Sequence, residues 1–129
     1  MRPATFQRFL LDELPHRGDV TRVQTLADAG DAQYPYGVAI SASAGETRWQ
    51  IMGQLVEGER HEHQEQRVEG EPAAWADAAP GSGPVGWLAS AIGEVKNPEI
   101  AAIEPFKGSA SEGLKITFHN GARAYVRKL

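Results

Sequence analysis

Cysteine is absent from the chain of 129 residues, and other marks of specialised protein classes are missing with it. Without cysteine there is no disulfide framework, no thiolate nucleophile and no zinc ribbon. Phe9-Leu10-Leu11 is the longest apolar run near the N-terminus, too short for a signal peptide. No stretch approaches the ~20 apolar residues that a membrane-spanning helix needs. These absences favour a cytoplasmic protein that makes no membrane contact.

Short catalytic and cofactor motifs are also lacking: there is no GxSxG elbow, Walker loop or HExxH. Residues 81–86 match GxGxxG, but no buried strand precedes them and Pro84 removes an N–H that a phosphate needs. His61-Glu62-His63 lies in a polar stretch without a rigid third ligand. We therefore expect no catalytic residue, no cofactor and no metal site.

The net charge of −4 is unevenly distributed along the chain. Residues 57–71 hold six glutamates against Arg60 and Arg67, and six minus two accounts for the whole imbalance. This stretch lacks helical or strand periodicity and predicts an acidic mobile loop. From Lys107 onward the sign reverses, which predicts a basic C-terminal region.

Hydrophobic periodicity predicts a single α+β domain over residues 1–129. Helices are expected at 3–14 and 85–96, and strands at 37–43, 48–55, 100–106, 114–118 and 122–126. Residues 19–29 are ambiguous, although β-branched side chains favour a strand, and one helical turn is expected at 73–79. A turn is expected at 44–46, and Pro105 suits an edge strand. The result is an antiparallel sheet of about five or six strands with two helices on one face, and no internal repeat.

The C-terminal β-hairpin gives the strongest local pattern. A three-residue loop at His119-Asn120-Gly121, with Gly121 in the left-handed region, sets Phe118 opposite Ala122. One face of the hairpin is then apolar. A one-residue slip would bury the charged side chains, which favours this register. The other face carries Lys115, Thr117, Arg123, Tyr125 and Arg127.

Two surfaces are candidate binding sites. Lys115, Arg123, Tyr125 and Arg127, extended by His119 at the loop tip, have the chemistry to meet phosphates and stack on a base. An outer sheet face is polar without any ligand, however, and a pI near 5.5 argues against a dedicated nucleic-acid binder. Tyr34-Pro35-Tyr36 is a candidate protein contact, because aromatic side chains are enriched at interfaces.

The sequence favours a non-catalytic protein-interaction or regulatory domain that contacts a protein partner or forms a homodimer. Binding of nucleic acid or an anionic ligand through the basic face of the hairpin is the first alternative. A small enzyme whose site is assembled in space is the second. Loop 57–71 also has the charge to cover the basic face of its own chain or of a neighbour.

Overall fold

The computed structural model of the chain describes residues 1–43, 45–56, 58, 60, 62–73 and 83–129. Its strands form one antiparallel sheet in the order β1-β2-β3-β6-β5-β4, which confirms the α+β fold. The elements are α1 (Pro3–Glu13), β1 (Val20–Thr25), β2 (Gly37–Ala42), β3 (Gly45–Gln54), α2 (Gly83–Val95), β4 (Ile100–Lys107), β5 (Glu112–Phe118) and β6 (Arg123–Lys128).

Both helices cover the same face of the sheet. Phe6 of α1 and Leu88 of α2 are fully buried, and they belong to one apolar cluster with alternate residues of the strands, such as Ile40 and Ile116. The ring of Phe6 lies 5.9 Å from that of Phe118, so the core is continuous from α1 to β5. None of the described helices covers the opposite side, which we call the outer face.

The predicted register of the C-terminal hairpin is confirmed. The Phe118 N–H donates to the Ala122 carbonyl at 3.0 Å, and Ile116 pairs with Ala124. Gly121 has a φ of 93°, the left-handed conformation that the three-residue loop requires. The hairpin is longer than predicted, because β5 begins at Glu112 and β6 extends to Lys128.

Other predicted boundaries are partly right. Residues 20–25 are a strand, as favoured, and the chain then turns; β4 with Pro105 is an edge strand. The turn predicted at 44–46 is wrong at its end, because β3 already begins at Gly45. The helix predicted at 3–14 is α1, which ends at Glu13, and Pro15 fits the tight 3-10 turn Leu14–His16 that follows it. Of the helical turn predicted at 73–79, residues 74–79 lie outside the described residues.

The strand order contains a structural repeat, although no internal repeat is evident in the sequence. Each half is a helix followed by three antiparallel strands, and β1, β2 and β3 correspond to β4, β5 and β6. The first strand of each half has an irregularity at the same position, after Val20 and after Ile100. The facing pair Gln50–Arg127 maps onto itself and marks the pseudo-two-fold axis.

A glycine flanks this central pair on each side. Gly37 pairs with Gln50, and Gly113 pairs with Arg127. A Cβ atom would lie 2.4 Å from the Trp49 carbonyl oxygen at Gly37, and 1.9 Å from the Val126 oxygen at Gly113. Both positions therefore need glycine, and the repeat keeps it at equivalent places.

Candidate functional site

The outer face brings the side chains of three central strands together. The register aligns β6 with β3 on one side and with β5 on the other. Arg123 lies between Gln54 and Thr117, Tyr125 between Met52 and Lys115, and Arg127 between Gln50 and Gly113. The four hairpin residues predicted as a basic face are thus neighbours on a surface that β3 extends.

Cations outnumber carboxylates on the outer face. Alternation from the paired positions places five cations there, Arg22, Arg48, Lys115, Arg123 and Arg127, and two carboxylates, Glu46 and Glu104. Five minus two gives a surplus of three positive charges, on a chain whose net charge is −4. Lys115 Nζ is 3.9 Å from a Glu104 oxygen, and Arg48 Nε is 3.5 Å from a Glu46 oxygen. The cations of β6 have no such carboxylate partner among the described residues.

Apolar groups lie among these charges. Met52 is 37% exposed, and the half-buried rings of Phe106 and Tyr125 meet edge to face with centroids 6.5 Å apart. Aromatic, methionine and arginine side chains are the types enriched at protein interfaces. The outer face therefore combines contact area with positive charge.

At the centre of the outer face, two polar atoms are shielded from solvent without a hydrogen bond. They are Oε1 of Gln50 and Nε of Arg127, and neither has a partner among the described residues. An unmet buried donor or acceptor costs about 1–3 kcal/mol.

The other predicted site residues lie apart from these four. His119 turns toward the acidic stretch: its Nε2 is 2.8 Å from the Glu71 carbonyl oxygen. Tyr34 and Tyr36 belong to the loop between β1 and β2, on the far side of β3 from β6. The carbonyl of Tyr36 accepts the Ile51 N–H. Tyr36 is 37% exposed, so its ring is accessible for a contact.

The described part of the acidic stretch packs at the end of the sheet. The Glu65 carboxylate accepts the Arg2 N–H at 2.5 Å and the Thr5 hydroxyl at 2.8 Å. Arg67 donates to Glu99 at 2.9 and 2.5 Å. The described residues of 57–71 make no hydrogen bond or ion pair with the four basic-face residues. That this stretch is mobile stays a prediction.

Sequence reasoning missed the contribution of β3 and β4 to the outer face. Gln50 and Met52 alternate with the buried Trp49 and Ile51, and this pattern does mark one exposed side of a strand. No local signal says that β3 pairs with β6, because more than 70 residues separate Gln50 from Arg127. Phe106 was assigned to a strand without a face.

A second polar cluster lies where β1 begins. Asp19 accepts hydrogen bonds from Trp87 Nε1 at 2.8 Å and from Arg17 Nε at 3.0 Å. These bonds, first that of Trp87 and then that of Arg17, hold the pKa of Asp19 below its usual value. Beside it is a cavity of about 490 Å³, lined by Asp19, Ala42, Ser43, Gly45, Glu46, Thr47, Gly83, Pro84 and Trp87.

Neither cluster has the donor set of a metal centre. Among the described residues, no three His, Asp or Glu side chains are grouped so as to hold an ion. His63 Nδ1 instead accepts the Arg60 N–H at 3.2 Å, and His61 lies outside the described residues.

No helix in the described part of the chain has the length and apolar character needed to cross a membrane. Comparison with models of protein families, with curated proteins and with solved structures found no match to this chain.

Proposed function

We propose that the protein is a cytoplasmic, non-catalytic interaction module whose outer face binds an acidic segment of a protein partner. The observation that carries this proposal is the centre of the outer face. There Arg127 and Gln50 present an unmet donor and an unmet acceptor within a positively charged surface. A peptide carries both complementary groups, because its carboxylates accept and its backbone N–H groups donate.

The chemistry of the outer face favours a protein over a nucleic acid. Met52 and Phe106 add apolar contact area, and Glu104 places a negative charge beside Lys115. A second copy of the chain offers the acidic stretch 57–71, so homodimerisation is one form of this contact.

The test measures binding of two labelled probes, a polyglutamate peptide and a single-stranded DNA oligonucleotide, at low and high salt. We expect the peptide to bind more tightly and Arg127→Ala to weaken it about tenfold, as loss of a charged hydrogen bond does. Arg123→Ala removes a more exposed cation and should weaken it about threefold. Arg8→Ala is the matched control, because Arg8 is 72% exposed on α1, away from the outer face.

The outcomes distinguish a protein partner from a nucleic acid. Tighter DNA binding, with a salt dependence that Arg123→Ala reduces, would replace the protein partner by a nucleic acid. Failure of both probes to bind at low salt would contradict the proposal. Light scattering then identifies the partner: a mass above 14.0 kDa at low salt that falls to this value at high salt indicates a second copy.

A further inference from the structure

The pseudo-two-fold axis relates two ends of the sheet, and the second end holds a stretch of the chain itself. Residues 65–73, which belong to no helix or strand, run beside the start of β4. The Gly70 N–H donates to the Pro98 carbonyl at 2.7 Å, and the Ala73 N–H donates to the Ile100 carbonyl at 2.9 Å. Backbone pairing of this kind is how an extended peptide adds to an exposed strand edge.

The first end has the same backbone framework. Val20 N donates to Arg17 O at 3.2 Å, as Ile100 N donates to Asn97 O at 3.1 Å. Ser43 N donates to Asp19 O at 2.9 Å, as His119 N donates to Glu99 O at 3.0 Å. Gly18, Asp19 and Val20 are therefore the counterparts of Pro98, Glu99 and Ile100.

Among the described residues, the first end has a cavity where the second end is covered. The cavity has a volume of about 490 Å³, and its lining residues Asp19 and Ser43 correspond to Glu99 and His119, which residues 65–73 contact at the other end. Ala42 stands where the second half has Phe118, and Ser43 stands where it has His119. No backbone N–H of the described residues donates to the Gly18 carbonyl, whereas its counterpart Pro98 receives that of Gly70.

We propose that this groove, at the other end of the sheet from residues 65–73, binds an extended segment of a partner protein that carries a cationic side chain. The backbone of the segment would donate to Gly18 and Val20, as residues 70–73 do to their counterparts. Trp87, Pro84 and Ala42 supply apolar contact. Asp19 and Glu94 share Arg17, and Glu46 pairs with Arg48, so three carboxylates face two cations around the groove, and this negative surplus favours a basic segment.

The probe is a capped peptide of sequence KQRVKGKPA, which is residues 65–73 with lysine replacing Glu65, Glu69 and Glu71. The unaltered peptide EQRVEGEPA is the control. Titration into the isotope-labelled full chain is followed by NMR. We expect the Trp87 indole N–H and the Ser43 amide to shift with the lysine peptide, and binding of the unaltered peptide to be at least about fivefold weaker.

Two substitutions separate groove binding from general attraction to an acidic protein. Ala42→Phe places in the groove the residue that the second half has, and it should abolish the shifts at Trp87. Glu46→Lys should weaken binding about fivefold, whereas Glu62→Lys makes the same charge change at an exposed site and should leave the Trp87 shift unchanged.

Shifts that omit Trp87 and Ser43, or equal binding of both peptides, would overturn the proposal. Full binding by a folded Ala42→Phe variant would do the same. If Ala42→Phe does not fold, the comparison of Glu46→Lys with Glu62→Lys decides. The outer face is tested by polyglutamate and Arg127→Ala, so failure of one site leaves the other standing.

Discussion

Arg127 and Gln50 face each other at the axis of the sheet, where polar atoms that are shielded from water without a hydrogen bond cost stability. Their neighbours explain the shielding. The buried side chain of Leu26 lies against Gly37, which pairs with Gln50, and Phe106 pairs with Gly113, which pairs with Arg127. The Nε of Arg127 and the Oε1 of Gln50 have no partner among the described residues, and this is the basis of the proposed ligand contact.

At this scale the sharpest prediction concerns Gly113. A Cβ atom at this position would lie 1.9 Å from the Val126 carbonyl oxygen, and this overlap is relieved only if β5 and β6 move apart. We expect Gly113→Ala to lower the free energy of unfolding by about 3 kcal/mol. Gly18→Ala is the control, because nothing lies within 4 Å of its Cβ, and it should change stability by less than about 0.5 kcal/mol. Urea unfolding measures both, and equal effects would contradict the close approach.

At the scale of the elements, one contact of the acidic stretch 57–71 involves a nearly buried carboxylate. The side chain of Glu99 is 9% exposed, and Arg67 neutralises it through two hydrogen bonds. The bond to Glu99 also raises the pKa of Arg67. Removing Arg67 therefore leaves a carboxylate with little access to water.

We expect Arg67→Met to lower the free energy of unfolding at neutral pH by about 2 kcal/mol, a value reduced for the exposure of Arg67. The loss should shrink toward pH 4, because an unpaired buried carboxylate has a raised pKa and is neutralised as the pH falls. Arg60→Met is the control, since Arg60 and Glu62 are both exposed and 3.8 Å apart. Denaturant unfolding across pH measures the difference; a loss that does not depend on pH would assign the effect to packing.

The elements also show how far sequence reasoning reaches. The C-terminal hairpin was predicted to its register because its turn residues and alternation lie within one short segment, from Leu114 to Val126. The pairing of β3 with β6 was not, since it joins distant strands through burial rather than local preference.

The repeat escaped sequence reasoning for a related reason. Equivalent positions need not share a residue type: Ala42 and Phe118 differ, while Gly37 and Gly113 coincide where the backbones approach. The part of the outer face that the hairpin supplies can therefore be predicted from the sequence, whereas the part that β3 supplies cannot. The groove cannot be predicted either, because it is recognised only when the two ends of the sheet are compared.

For the whole molecule, the repeat gives two halves whose equivalent ends differ. Among the described residues, one end is covered by residues 65–73 and the other has a cavity beside Asp19 and Trp87. The outer face crosses the axis and belongs to both halves. A surface shared in this way keeps its geometry only if the halves fold as one unit.

We therefore predict a single cooperative unfolding transition. The core crosses the axis, because Phe6 of the first half packs on Phe118 of the second, and Trp87 of the second donates to Asp19 of the first. Tryptophan fluorescence and far-ultraviolet circular dichroism should coincide during urea unfolding. Phe118→Leu should lower the free energy of unfolding by about 1.5 kcal/mol, and the urea midpoint with it, without changing the denaturant slope. Val68→Ala, at a 45% exposed position, should have little effect. Two separate transitions, or loss of amide protection confined to the second half in Phe118→Leu, would show that the halves are independent domains.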